Sequence, residues 1–132
     1  MKEILFRGKR KDSNEWVQGY YFKRVRNYAG FKTIEHCYIQ YETWDGGFIT
    51  YEVYPETVSQ FTGLTDKNGK KIFEGDIITK GLELFEVMWN LEQVRWGIYS
   101  DAYEVAGFTK FSEPYFEVIG NIYDNKELLE ND

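Results

Sequence analysis

A chain of 132 residues is long enough for one compact domain, or for two very small ones that share a core. Its hydrophobic content of 42% excludes a disordered chain, and its single cysteine, Cys37, excludes an internal disulfide and a cysteine-based metal cluster. The net charge of −6 divides unevenly, since residues 1–32 carry nine basic and three acidic side chains (+6) and the remainder carries seven basic and 19 acidic ones (−12).

The first half of the chain predicts a series of β-strands joined by turns. Aromatic residues make up 19% of the sequence, and aromatic side chains favour the half-buried surface of a sheet. Polar or glycine-containing runs at 9–14, 27–30 and 45–47 predict turns. The expected strands are Leu5–Gly8, Glu15–Phe22, Phe31–Tyr41 and Phe48–Tyr54. A single helical turn should follow at 55–58, because proline suits the first position of a helix.

The stretch 52–80 separates this group of strands from a second group. Asn68-Gly69 predicts a type I′ hairpin turn, because both residues tolerate positive φ. A second turn is expected at Glu74-Gly75-Asp76, where the carboxylate of Asp76 should accept backbone hydrogen bonds. The boundary between the two groups therefore falls near residue 60, with no flexible linker.

The second half predicts more strands and a short final helix. The alternation at 84–90 places Phe85, Val87 and Trp89 on one face, and Trp89 is expected to form a cross-strand core pair with Trp96. The expected elements are the strands Ile77–Lys80, Leu84–Asn90, Gln93–Ser100, Tyr103–Phe108 and Tyr115–Tyr123 and the helix Lys126–Glu130. The fold class is therefore all-β.

Four blocks of the sequence resemble the YopX family of small proteins encoded by bacteriophages and prophages. They are Ile4-Leu5-Phe6-Arg7-Gly8-Lys9 with Glu15-Trp16-Val17-Gln18-Gly19-Tyr20, then Val58 to Gly69, Ile72 to Ile77, and Phe116 to Asn125. The blocks follow the family order over nearly the whole chain, whereas segments 23–51 and 81–115 carry little of the resemblance.

The resemblance implies an all-β protein with an N-terminal β-hairpin subdomain, residues 1–60, packed on an SH3-like small barrel, residues 61–132. It also implies a phage or prophage origin and action inside a bacterial cell. It implies no reaction, because the family offers no activity to carry over, and its motif residues look structural.

Nothing in the sequence predicts an enzyme. His36 and Cys37 are the only nucleophilic pair, and adjacent residues on a strand point to opposite faces, so they should not form a catalytic couple. Scattered acidic pairs such as Glu83 with Glu86 are weak evidence for a metal ion, and Gly46-Gly47 lacks the strand-to-helix context of a phosphate-binding loop. We therefore expect no catalytic residue, no metal and no cofactor.

The basic N-terminal region offers one candidate binding surface. Lys9, Arg10 and Lys11 should lie at a hairpin tip, where they would reach the phosphates of a nucleic acid. The candidate contacts are Arg7, Lys9, Arg10, Lys11, Arg24 and Arg26. Against this interpretation, the −12 on the rest of the chain repels nucleic acid, and a solvated hairpin tip has the same composition.

A partner-binding surface built on aromatic side chains is the other candidate. Trp44 and Tyr99 are expected to be exposed enough for this, and SH3-like barrels take extended peptides. The preferred function is therefore a non-enzymatic accessory protein acting through protein–protein contacts or self-association, and the alternative is a nucleic-acid-binding module using the basic hairpin. The sequence contains no long apolar run and no secretory leader pattern, so we expect a cytoplasmic protein with no membrane contact.

Overall fold

The computed structural model describes residues 4–30 and 32–130, and the all-β prediction is confirmed. The described residues form eleven β-strands, all paired antiparallel, with two short 3₁₀ helices and one short C-terminal α-helix. The chain divides into two compact units, Met1–Gln60 and Phe61–Asp132. The boundary between the two units falls within the strand Ser59–Thr65.

The N-terminal unit contains four complete strands. These are β1 (Phe6–Lys9), β2 (Trp16–Tyr28), β3 (Lys32–Glu42) and β4 (Phe48–Val53), followed by the 3₁₀ helix Pro55–Thr57. They pair in the order β4-β3-β2-β1, and the first two residues of β5 (Ser59–Thr65) pair with β1. The helical turn predicted at Pro55 is confirmed.

The sheet of this unit closes on itself around a small core. Arg10, just after β1, forms an isolated bridge with Val53 of β4, and the backbone N–H of Tyr54 donates to the carbonyl of Lys9 at 2.9 Å. The enclosed core consists of Val17, Cys37, Ile39 and Val53, with half-buried rings around it. The closure also explains the glycine at position 8, because a Cβ there would lie 3.0 Å from the Cβ of Val53.

The C-terminal unit carries the second sheet. Its further elements are β6 (Lys71–Phe73), β7 (Asp76–Lys80), β8 (Glu83–Asn90), β9 (Arg95–Ser100), β10 (Tyr103–Gly107), the 3₁₀ helix Lys110–Tyr115, β11 (Glu117–Asn121) and α1 (Glu127–Glu130). Five strands pair in the order β10-β9-β8-β7-β11. The core contains Ile72, Ile78, Phe85, Val87, Ile98, Phe108, Phe116 and Val118. The predicted burial of Phe85 and Val87 on one face is confirmed.

The prediction of a type I′ turn at Asn68-Gly69 is wrong. Among these two residues only Gly69 has positive φ, +82°, and its N–H donates to the carbonyl of Asp66 at 3.0 Å. The central residues are therefore Lys67 and Asn68, and Gly69 follows them. The side chain of Asp66 selects this turn, because its Oδ1 accepts hydrogen bonds from the N–H groups of Asn68 and Lys70 at 2.8 and 2.9 Å.

The predicted boundaries also differ from the observed ones at several places, of which three have a clear structural reason. The turn expected at 27–30 begins later, because the β2–β3 ladder continues to the pair Tyr28–Lys32. The predicted start of β3, Phe31, lies outside the described residues. Val94 has φ of +54° and belongs to the turn before β9, and Tyr115 ends a 3₁₀ helix in which Ser112 N–H donates to the carbonyl of Thr109.

The turn predicted at Glu74-Gly75-Asp76 is confirmed. Gly75 has φ of +86°, a conformation that L side chains rarely adopt. The carboxylate of Asp76 accepts a hydrogen bond from the N–H of Phe73 at 2.8 Å, as expected from the sequence. This contact fixes the chain direction between β6 and β7.

Candidate interaction surfaces

The cations of the first hairpin tip have carboxylate partners within the N-terminal unit. Arg10 donates through Nε and Nη2 to the two oxygens of Asp12 at 2.9 and 2.8 Å. Lys11 Nζ donates to Glu52 Oε2 at 2.9 Å. Each of these cations would have to give up or share its partner in order to contact a phosphate.

Arg7 and Lys9 both lie over the ring of Trp16. Their charged groups are 4.8 and 5.8 Å from the ring centroid, and the guanidinium of Arg7 also donates to Ser59 Oγ at 3.1 Å. Arg7 is only 9% exposed. The structure therefore does not bring the six candidate cations together on one accessible surface.

Arg24 and Arg26 lie elsewhere, on the exposed part of the β2–β3 ribbon. They occupy alternate positions of β2, where Arg24 pairs with His36 and Arg26 with Ile34. Because strand side chains alternate between faces, both arginines share the face formed by the even-numbered residues of β2, β3 and β4. We call this surface the outer face, since the small core lies on the other side.

The outer face carries aromatic rings next to these arginines. Phe22 and Tyr38 form a cross-strand pair with stacked rings whose centroids are 5.2 Å apart, and the guanidinium of Arg24 lies 5.8 Å from the centroid of Phe22. Tyr20, the next residue of β2 on this face, is 61% exposed, and Phe48, opposite Glu42 on β4, is 60% exposed. Two such exposed rings contribute little to the core.

Glu52 is the acidic group at the centre of the outer face, and it is held by two neighbours. Its Oε2 contacts Lys11 Nζ at 2.9 Å and His36 Nδ1 at 3.0 Å. The hydrogen bond from Lys11, followed by that from His36, lowers the pKa of Glu52 below its ordinary value. The negative charge of Glu52 is therefore balanced locally.

Cys37 points away from His36, as the strand alternation predicts. It lies in the core at 2% exposure, and its Sγ is 3.4 Å from the hydroxyl of Tyr21. Burial and the contact with Cys37 raise the pKa of Tyr21 to about 12. The imidazole of His36 instead contacts Glu52 and the Tyr28 hydroxyl, so thiol and imidazole share no site.

A groove on the C-terminal unit is the second candidate surface. It has a volume of about 520 Å³ and lies between the solvent-facing side of β8 and β9 and the short helix α1. Its lining consists of Leu82, Leu84, Glu86, Met88, Tyr99, Ser100, Asp101, Ala102, Leu128 and Leu129. Tyr99, a candidate from the sequence, is therefore a half-buried wall of this groove.

Two carboxylates influence the chemistry of the groove. Burial raises the pKa of Glu86, and the nearby Glu74 raises it further, while Lys126 acts in the opposite direction. Burial likewise raises the pKa of Glu74. A cationic group that reached Glu86 would offset both the cost of burying its carboxylate and the repulsion between that carboxylate and Glu74.

The remaining aromatic candidates lie apart from the groove. Trp44 is 98% exposed in the turn before β4. Trp89 and Trp96 are the predicted cross-strand pair, with ring centroids 5.0 Å apart and an edge-to-face arrangement. Trp89 is nevertheless 39% exposed, so this pair lies at the margin of the core rather than within it.

Sequence reasoning missed the groove. The alternation at 84–90 places Leu84, Glu86 and Met88 on the face opposite the core residues, but it does not indicate what covers that face. The groove requires Leu128 and Leu129, which lie some 40 residues later in α1, to cover that face. Only the tertiary structure brings these two segments together.

Residues 4–30 and 32–130 contain no group of three or more His, Cys, Asp or Glu side chains arranged to hold a metal ion. None of the helices described in the chain has the length and apolar character needed to cross a membrane.

The family profile described as YopX protein matches residues 5–130. The chain belongs to the YopX family. The resemblance found in the sequence is therefore confirmed over nearly the entire length. The family description names no reaction, ligand or partner.

Three chains of solved structures match this protein. One is the crystal structure of protein EF1440 from Enterococcus faecalis, with a TM-score of 0.55 and 22% sequence identity. The match covers 98% of this chain and 99% of the other. At this identity the likeness shows a shared fold. No curated protein matches the sequence.

Proposed function

We propose that this YopX-family member is a non-enzymatic accessory protein of phage or prophage origin that works in the bacterial cytoplasm by binding another protein. The observation that carries the proposal is the groove of the C-terminal unit, whose lining combines apolar and polar side chains. Leucine and methionine side chains line it beside the carboxylates of Glu86 and Asp101. The shape and chemistry are those of a binding site for a short peptide segment.

The expected partner segment combines apolar and basic side chains. Its apolar residues would cover Leu84 and Met88, and a lysine or arginine would reach Glu86, whose pKa is already raised by burial. Residues 61–132 carry 14 acidic and seven basic side chains, a net −7, which attracts such a segment. We further propose that this unit is an SH3-like small barrel, a fold class that takes extended peptides.

A pair of labelled peptides tests the groove directly. In one peptide leucine alternates with lysine, and in the other glutamate replaces every lysine. Fluorescence anisotropy should show binding of the basic peptide only. The substitution Glu86→Gln should weaken that binding about tenfold, as expected for loss of one charge-assisted contact.

An apolar variant and a matched control complete the test. Leu82 is fully exposed, so Leu82→Asp should abolish binding while leaving the melting temperature unchanged. Phe111 is also exposed but lies outside the groove, and Phe111→Asp should bind like the wild type. If neither peptide binds, or if both aspartate variants lose binding equally, the groove is not the site.

Light scattering distinguishes a foreign partner from a second copy of the chain. A monomer at micromolar concentration agrees with the proposal. A dimer that Leu82→Asp dissociates would mean that the groove is filled by the protein itself, which would replace the partner named here.

A further inference from the structure

The outer face of the N-terminal unit has an ordered arrangement of rings and cations that the groove does not explain. Cross-strand pairing places Tyr20 opposite Gln40, then Phe22 opposite Tyr38, then Arg24 opposite His36, then Arg26 opposite Ile34. Successive positions on one face are about 7 Å apart. The face therefore changes from aromatic to cationic along the direction of β2.

The side chains of the outer face are too exposed to contribute mainly to the core. Tyr20 and Phe48 each keep about 60% of their surface exposed, and Arg24 and Arg26 are exposed as well. The small core is on the other side of the sheet and consists of Val17, Cys37, Ile39 and Val53. Exposed rings beside exposed guanidinium groups on a rigid sheet are the arrangement with which proteins hold single-stranded nucleic acid.

Charge on the ribbon favours an anionic ligand. Residues 23–36 contain four basic residues, Lys23, Arg24, Arg26 and Lys32, and one acidic residue, Glu35. Glu35 lies on the other face and is 3.9 Å from Lys23. On the outer face, the charge of Glu52 is balanced by the ammonium of Lys11, and Glu42 lies at the aromatic end of the face, opposite Phe48.

We propose that the outer face binds single-stranded nucleic acid. Bases stack on Tyr20 and on the Phe22–Tyr38 pair, and phosphates contact Arg24 and Arg26. This site differs in residues and in ligand from the groove of the C-terminal unit. The hairpin-tip cations Arg10 and Lys11 take no part, because they are bound to carboxylates.

Labelled oligothymidylate and oligouridylate test the proposal. Anisotropy titrations of the full chain between about 50 and 200 mM salt should show binding that weakens steeply as salt rises. Each phosphate contact to a single strand contributes about −0.7 to the slope of log affinity against log salt. Binding to the two oligonucleotides, compared side by side, shows whether DNA or RNA is preferred.

Neighbouring residues of β2 provide a matched pair of variants. Arg24→Gln and Lys23→Gln remove the same charge one residue apart, but on opposite faces of the ribbon. Arg24→Gln should reduce the salt slope by about 0.7 and Lys23→Gln should leave it unchanged. Equal effects would show a diffuse electrostatic attraction and would overturn the proposal.

An aromatic pair of variants tests stacking. Tyr20→Ala should weaken binding roughly fivefold to a hundredfold, as expected for loss of one stacked base. Phe111→Ala removes an exposed ring from the other unit and should have no effect. Thermal melting checks that both variants remain folded.

Three outcomes would reject the site. They are no binding at about 50 mM salt, an affinity for duplex DNA equal to that for single strands, and full binding by Tyr20→Ala. Because Leu82→Asp leaves the outer face intact, it should bind oligonucleotides normally, so failure of the groove and failure of this site are distinguishable.

Discussion

The carboxylate of Asp66 accepts a hydrogen bond from the backbone N–H of Val118 at 3.0 Å, although the two residues are 52 positions apart. The other oxygen of Asp66 holds the hairpin turn through Asn68 and Lys70. Asp66 is 4% exposed. One buried side chain therefore shapes a local turn and also connects it to β11.

Replacing Asp66 with alanine should destabilise the protein by about 3 kcal/mol, since it removes charge-assisted bonds to three backbone N–H groups. Urea denaturation measures the change. Asp12→Ala is a suitable control, because Asp12 is exposed and pairs with Arg10 at the surface, and loss of such a pair should cost less than about 1 kcal/mol. Equal effects of the two substitutions would contradict the role assigned to Asp66.

Asp66 should also make stability depend on acid pH. Burial raises its pKa, but the hydrogen bonds from Val118, Lys70 and Asn68 outweigh burial, and the pKa lies below the ordinary value of 3.8. Its contribution is therefore complete above pH 3.8 and is lost as the pH falls through the lowered pKa. Urea midpoints for the wild type and Asp66→Asn should converge in that acidic range. A gap that stays constant there would exclude Asp66 as the titrating group.

Titration of Glu86 should change the stability of the protein with pH in the direction opposite to that of Asp66. Burial and then repulsion by Glu74 raise its pKa, so its ionised form is disfavoured in the folded state and stability is lost as the pH rises through that pKa. Glu86→Gln should therefore be more stable than the wild type at neutral pH and equal to it in acid. A thermal shift series across pH measures this, and a variant that is less stable at neutral pH would contradict it.

Position 19 should accept no residue larger than glycine. A Cβ there would lie 2.3 Å from the carbonyl oxygen of Gln40, a backbone atom that cannot move without disturbing the β2–β3 ladder. We expect Gly19→Ala to cost at least about 3 kcal/mol. At Gly47 the nearest atom, at 3.1 Å, is the side-chain Oγ1 of Thr43, so Gly47→Ala should cost about 1 kcal/mol or less. Chemical denaturation of both variants gives the comparison.

The thiol of Cys37 should be unreactive in the native protein. It is 2% exposed and contacts the hydroxyl of Tyr21. A thiol-specific reagent should modify it only in denaturant, where the same chain is the control for reagent quality. Rapid modification under native conditions would show that the closed sheet around Cys37 opens readily.

Local patterns in the sequence predicted most of the elements. Period-2 alternation placed Phe85 and Val87 on the buried face of β8, and Gly75 marked a turn because it takes a positive φ that other residues avoid. The same alternation separated His36 from Cys37. Errors occurred where a distant group decides the outcome, as in the hairpin turn that the buried Asp66 carboxylate shapes.

The sequence by itself determined the all-β class and most turns, because these depend on the side-chain period and on the φ preferences of glycine and proline, and its four matching blocks indicated the family. The tertiary structure decided which cationic side chains are bound to carboxylates and which lie on an exposed face. Arg10 and Arg24 have the same side chain, yet Arg10 is bound to Asp12 and Arg24 lies beside the ring of Phe22 on an exposed face. Strand pairing also placed Phe22 beside Tyr38, and helix packing placed α1 beside the groove face of β8, since both contacts join residues that lie apart in the chain.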